Sequence, residues 1–453
     1  MNIEVKAILI SALLTFIGIF NYECIAITLP YLSQSLGISS VFANWVYLGF
    51  FLACSSTGLF FGKFTRKYGI VRSSIICVVF GIIGGLLCIF TFSPYFVIVG
   101  SMLRGISASG TFATLYVFIY RKVNIHKVGR GIGISTASGF LGTLLAPLIG
   151  GFLALYLSWI WVYLFTLPFL VIVLILLIRF DDEWIDDIEL DRVGCVIWAI
   201  AMILLIYGVT YLSTFVGIIA FILSIVFILA FVVYELKVDD PLLDLGIFKN
   251  HLYSLNVFTA LMTQFIKCGA VFVLTLYLQY VNSYSALETG VLMGFYAFIM
   301  ILVSLVAGKL SDKQNPVNLT NYGLIFMFVS VVMFCFVDML SIYLITLALV
   351  LLAIGLGIFE TPNKKILFEV SDRVDLADSS ALLSTVRDIG SLSSSAIFTL
   401  VLGIFISVGD KIVYWSLSSI LMFKIIFIAT IITIIVSFIL SFKVRNNSLL
   451  GNY

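Results

Sequence analysis

Apolar stretches of about twenty residues, separated by short polar segments, recur along the whole chain. A hydrocarbon core of about 30 Å takes roughly 20 residues of α-helix to cross, so each stretch predicts one membrane-spanning helix. The runs fall near residues 7–29, 41–62, 73–93, 95–119, 131–156, 159–178, 193–212 and 215–234. Six more follow at 253–281, 287–308, 322–337, 341–362, 382–408 and 420–442. Fourteen such helices make an all-α polytopic membrane protein. The first run is too long for the apolar core of a signal peptide and is followed by no small-residue cleavage site, so it reads as an uncleaved span.

The polar segments orient these spans. Segment 63–72 carries Lys63, Arg66, Lys67 and Arg72, segment 120–130 carries Arg121, Lys122, Lys127 and Arg130, and segments 309–313 and 364–387 are also basic. With both termini placed inside, 21 of the 25 Lys and Arg fall on the inner side. Only Lys411 and Lys424 fall outside, while Arg104 and Lys267 lie within spans. Basic residues accumulate on the cytoplasmic face of multi-pass proteins. The pattern therefore predicts a multi-pass protein of the plasma membrane with cytoplasmic N- and C-termini.

Composition removes several function classes. The chain is 62% hydrophobic and 11% charged, against about 25% charged in soluble domains. Its formal net charge of +2 is scattered between apolar runs, which gives nucleic acid nothing to bind. Seven cysteines all lie in apolar runs; an odd, buried set is no disulfide framework and reads as small helix-packing residues. Two histidines, His126 and His251, flank spans, so neither a metal site nor a cofactor is expected. The loop "RFDDEWIDDIELDR" (179–192) holds seven carboxylates. It reads as a solvated amphipathic linker, with a regulatory or partner role as the alternative. Three parts are expected: an N-terminal six-helix bundle over 1–180, the acidic linker with a two-helix insert over 181–240, and a C-terminal six-helix bundle over 241–453.

Two loops repeat. "GKFTRKYGIVR" (62–72) and "GKLSDKQNPVN" (308–318) each follow the second helix of a six-helix block and begin Gly-Lys-apolar-small. Paired halves are the mark of transporters built from repeats. Helix 4 contains "MLRGISASG" around Arg104, and helix 5 contains "GTLLAPLIGG" (142–151), with Gly142, Pro147, Gly150 and Gly151. Ser138, Gly142, Ala146 and Gly150 are spaced four apart, a small-residue face that lets a neighbouring helix approach closely, and Pro147 is expected to kink the helix. This face serves either as a rocking seam or as ordinary tight packing.

Together these segments resemble the major facilitator superfamily, and within it the fourteen-helix drug:proton antiporter branch. The resemblance runs over nearly the whole chain and implies two six-helix bundles plus a two-helix insert. The paired loops are similar to the family's Gly-x-Leu-Ala-Asp-Arg-x-Gly-Arg-Arg loop, which implies a gating role for Gly62, Arg66, Gly69, Gly308 and Asp312. The second copy keeps the family's carboxylate as Asp312, placed to cap a helix or bind a basic residue of a neighbouring helix. The first copy has Arg66 in its place, which leaves the gating role of that position open. In helix 1 the branch has Asp-x-Thr before its Ala-Leu-Pro; aligned on Leu29 and Pro30, Asn21 stands at the Asp position and Glu23 at the Thr position.

Among the ionisable residues in apolar runs, Glu23, Arg104, Lys267 and Glu360 stand out. Each costs on the order of 2.5–3.5 kcal/mol at a helix centre, so each is a functional candidate. Glu23 and Arg104 lie roughly 9 and 14 Å from the outer ends of their helices at the helical rise, within reach of one another in adjacent helices. Glu23 reads as a proton- or cation-binding carboxylate, as half of a structural Glu–Arg pair, or as a residue snorkelling outward. Lys267 suits a cavity that attracts an anionic or zwitterionic substrate, or a structural ion pair. Glu360, close to Pro362, Lys364 and Lys365, reads as a gate or interfacial salt bridge ahead of a substrate contact. Tyr22, Gln264, Tyr277, Gln279 and Tyr296 are further residues that either line a cavity or pack.

The resemblance implies a secondary active exporter of small amphiphilic compounds that works against proton influx as a monomer in the lipid bilayer. No phosphate-binding loop is present for ATP. The alternatives are a proton-coupled transporter of an anionic or zwitterionic metabolite, recognised by Lys267, and a non-transporting membrane sensor. No arrangement of residues is placed for catalysis.

Overall fold

The computed structural model describes residues 3–38, 40–90, 93–180, 188–212, 214–284, 286–371, 376–405 and 411–449. The centre of the acidic loop, 181–187, lies outside the described residues. The helices are α1 (Ile3–Leu36), α2 (Ser40–Tyr68), α3 (Ile70–Ile89), α4 (Pro94–Lys122), α5, α6 (Ile160–Ile178), α7 (Arg192–Thr210) and α8 (Phe215–Glu235). They continue as α9 (His251–Tyr280), α10 (Ala286–Ser311), α11 (Pro316–Phe334), α12 (Ile342–Val370), α13 (Leu376–Phe405) and α14 (Lys411–Leu449). α5 is a composite of Val128–Leu145, a π turn at Ala146–Gly150, and Gly151–Tyr156. Among the described residues 13 helices are long and apolar enough to cross a membrane; α13 is the other long one, and carries Asp378, Arg387 and Asp388.

The chain divides into two compact units. The first comprises Met1–Gly208, Ile219–Leu245 and Asp372–Thr385; the second comprises Val209–Ile218, Gly246–Ser371 and Val386–Tyr453. α13 thus starts in the first unit and continues in the second. Inside each unit the packing repeats. In the first, α4 packs on α2 and α3, and α6 packs on α1 and α3; in the second, α12 packs on α10 and α11, and α14 packs on α9 and α11.

Close approach of backbones explains the strongest of these contacts. A Cβ on Gly100 of α4 would lie 2.7 Å from the Gly84 carbonyl oxygen of α3, and a Cβ on Gly323 of α11 would lie 2.7 Å from that of Gly355 in α12. In lipid, where apolar surface drives little helix association, small residues and interhelical hydrogen bonds hold helices together. Ser101 donates to the Val46 carbonyl at 2.6 Å, joining α4 to α2. Ser330 donates to the Ala348 carbonyl at 2.6 Å, joining α11 to α12. In the insert, the Trp198 indole donates to the Ser55 carbonyl of α2 at 3.1 Å and packs on Phe231 of α8. The Lys63 ammonium of α2 donates to the Pro241 carbonyl at 2.7 Å.

Candidate functional site

Four groups of residues in the two units contain the candidate side chains. In the first unit Arg104 is only 3% exposed. Its guanidinium donates Nη2–H to the Asn21 side-chain oxygen and lies 4.4 Å from the centre of the Tyr163 ring. Its Nη1 has no hydrogen-bond partner among the described residues. Asn21 and Glu23 are two residues apart, about 200° around an ideal helix, so only one of them faces α4. That one is Asn21, which is buried; Glu23 is half-buried.

The small-residue face of α5 meets α1. A Cβ on Gly142 would lie 3.0 Å from the Phe16 carbonyl oxygen, and one on Gly150 would lie 2.9 Å from Cys24 Sγ. Thr15 of α1 and Ser135 of α5 share a hydrogen bond of 2.7 Å. Pro147 lacks the amide that would close the α-helical ladder, and here the helix answers with a π turn. Gly151 has open space where a side chain would be.

The first loop motif is an ion pair of reversed sign. Arg66 of α2 donates Nη1–H to Asp378 Oδ2 at 2.7 Å, with both side chains largely buried. Gly62, one turn earlier, lets the start of α13 approach: a Cβ there would lie 3.1 Å from Asp378 Cα and 3.2 Å from Ala381 Cβ. Gly69 has φ +88°, a left-handed turn between α2 and α3 that disfavours any side chain. In the second copy, Asp312 accepts from Lys365 at 3.2 Å, and Lys365 also donates to the Ser311 carbonyl at 2.6 Å. Gly308 is buried, and its carbonyl accepts from the Ser311 hydroxyl at 2.9 Å.

The densest group of charges lies in the second unit. Lys267 of α9 donates to Glu360 Oε1 at 3.2 Å. Lys364 and Arg387 donate to Oε2 at 3.2 and 2.8 Å. Three cations thus surround one carboxylate. The Glu360 and Lys364 side chains are each 6% exposed, but those of Lys267 and Arg387 are 19% and 25% exposed. Charged groups left uncovered within a span favour water over lipid. Arg387 Nη2 also donates to Gln264 Oε1 at 3.4 Å, and Gln264 donates to the Ser391 hydroxyl at 3.1 Å. Gly390 lets α13 seat on α9, since a Cβ there would lie 2.6 Å from the Leu261 carbonyl oxygen.

Lys267 and Glu360 were legible as buried charges, but Arg387 and Lys364 were assigned to an inner basic segment. α12 runs on to Val370 and α13 starts at Leu376, which places both cations on helices. The spacing of Glu360 and Lys364, four apart on one helix, was the available signal. Among the described residues no group of His, Cys, Asp or Glu is placed to hold a metal.

The family model for the Major Facilitator Superfamily matches residues 11–186 and 191–395. The riboflavin transporter RibZ of Clostridioides difficile (strain 630) is 25% identical over 391 residues, covering 85% of this chain and 85% of that protein. Multidrug resistance protein 3 of Bacillus subtilis (strain 168) is 25% identical over 310 residues, covering 66% of this chain and 60% of that protein. The crystal structure of the human organic anion transporter MFSD10 superposes with a TM-score of 0.68 at 11% identity, covering 96% of this chain and 99% of that one, a likeness of fold. With the repeated six-helix packing and a family match over most of its length, the chain belongs to the major facilitator superfamily, whose members are membrane transporters of small molecules.

Proposed function

We propose that this transporter carries a small organic compound with a negative charge, anionic or zwitterionic, by proton-coupled alternating access. It works as a monomer in the plasma membrane with both termini in the cytoplasm. The observation that supports this substrate class is the Lys267–Lys364–Arg387 group, whose three cations meet a single carboxylate on Glu360. Lys267 and Arg387 are the less buried of the three, and fixed positive charges within a span suit an anionic solute. A cationic substrate gains nothing at such a place.

A second reading, proton-coupled export of amphiphilic drugs, is favoured by the relative named as a multidrug resistance protein. The relative named as a riboflavin transporter points instead to a metabolite. Flux assays separate the two readings. Full-length protein in proteoliposomes with an imposed pH gradient is offered benzoate, salicylate and succinate, and separately tetraphenylphosphonium and ethidium. Flux of at least one anion is expected, falling about tenfold or more in Lys267→Gln and Arg387→Gln. Flux of the cations alone would move the assignment to drug export.

A further inference from the structure

We propose that Asp191 and Glu235 hold one proton between them and form a clasp, closed by that proton, across the two ends of the two-helix insert. Both residues lie in the first unit, outside the four groups described above. Glu235 ends α8 and is 3% exposed, and Asp191 stands immediately before α7. A Cβ on Gly194 would lie 2.2 Å from Asp191 Oδ2 and 2.5 Å from Glu235 Oε1, so the two oxygens meet beside the first turn of α7. Both oxygen atoms are buried, and neither has a hydrogen-bond partner among the described residues. Two ionised carboxylates placed this way repel and leave two buried acceptors unsatisfied. A single proton lets one oxygen donate to the other and removes both faults.

The helix ends decide which carboxyl carries the proton. Asp191 Oδ1 accepts from the Val193 and Gly194 amides at 3.1 and 3.0 Å and from the Tyr234 hydroxyl at 3.1 Å. It caps the N-terminus of α7, where free amides and the helix dipole favour negative charge. Glu235 is in the last turn of α8, where the dipole opposes negative charge. The proton therefore sits on Glu235 Oε1 and is donated to Asp191 Oδ2. Among the described residues, the other titratable groups that face the pair are Tyr234, Cys195 in the first turn of α7, and Lys63 of α2. Lys63 favours an ionised Glu235, but its ammonium donates to the Pro241 carbonyl at 2.7 Å and its charge is shared with Asp240 and Asp378. Closed, the clasp also holds the segment that follows α8. Glu235 Oε2 accepts from the Leu243 amide at 3.2 Å, and Asp240 accepts from the Glu189 amide at 3.3 Å. Loss of the proton leaves two adjacent negative charges that push the start of α7 from the end of α8.

The insert is thus fastened more firmly in acid than in alkali. In the unfolded chain a glutamic acid gives up its proton at about pH 4.3. From there up to the pH at which the clasp ionises, the folded state binds one proton more than the unfolded state. The contribution of the clasp to stability therefore falls as pH rises. The test compares melting temperatures of purified full-length wild type and Glu235→Gln across about pH 5 to 8. The variant's amide donates to Asp191 Oδ2 and cannot titrate, so the wild type is expected to lose a few degrees relative to it over that range. Parallel curves would overturn the inference. Infrared spectra at near-neutral pH should show a protonated-carboxyl band in the wild type that Glu235→Gln lacks, and identical spectra would overturn it as well. If Glu235→Gln does not fold, Asp191→Asn takes its place. Without the like charge Glu235 releases its proton more readily, so the band should disappear at a pH lower by about one unit or more. An unchanged midpoint in that variant would sink the shared proton.

Discussion

Arg66 stands where the superfamily's loop carries a carboxylate, and on sequence alone that substitution left the position's role open. The structure supplies the missing charge from another segment. Asp378, at the start of α13, takes the Arg66 guanidinium at 2.7 Å, so the pair is kept with its sign reversed. A largely buried pair is costly to break by removing one partner, because the other charge is left alone. Arg66→Asp alone, or Asp378→Arg alone, is therefore expected to cut transport about tenfold or more by placing like charges together. The double exchange should recover most of it, as measured by substrate flux in proteoliposomes. Recovery distinguishes pairing from a site that merely tolerates no change. Arg104 is met by the neutral Asn21 and the face of Tyr163.

At the scale of helices, two departures from regular expectation position the candidate groups. The first is the π turn of α5 at Ala146–Gly150, where Pro147 interrupts the hydrogen-bond ladder on a helix whose other face is pressed against α1. Gly142 lies where that contact is with backbone, 3.0 Å from the Phe16 carbonyl oxygen for an added Cβ. Gly142→Val is expected to push α1 and α5 apart. Substrate flux should fall about tenfold, while the purified variant keeps a wild-type elution profile and loses a few degrees of melting temperature. An unchanged flux would leave the face as ordinary packing. The second departure is the length of α12 and α13. α12 continues to Val370, past its apolar run, and so carries Lys364 one turn from Glu360; α13 begins at Leu376, ahead of its run, and brings Arg387 to the same carboxylate.

At the scale of the molecule, the same packing occurs twice, and the two-helix insert is fastened to the first unit by Trp198 on Ser55 and by Lys63 on Pro241. The basic residues that orient the spans lie mainly between them. The 13 helices long and apolar enough to cross a membrane, with α13 as a fourteenth span, would return the chain to the side on which it began. Reporter fusions at residue 1 and residue 453 are expected to give cytoplasmic signals for both; one signal on each side of the membrane would require an odd number of spans.

The number of helices, their order and the repeat were decided by the sequence, because a bilayer imposes one length and one chemistry on every span, and both can be counted residue by residue. The sequence also singled out Glu23, Arg104, Lys267 and Glu360, since a charge among apolar residues is visible without knowing its neighbours. It could not decide which groups meet. Arg66 finds Asp378, 312 positions away, and Glu360 gathers cations from positions 267, 364 and 387. Whether Asn21 or Glu23 faces Arg104 depends on the rotation of α1 against α4. Those choices follow from backbone approach at glycines and from the direction in which each helix turns its side chains, and only the tertiary structure holds that information.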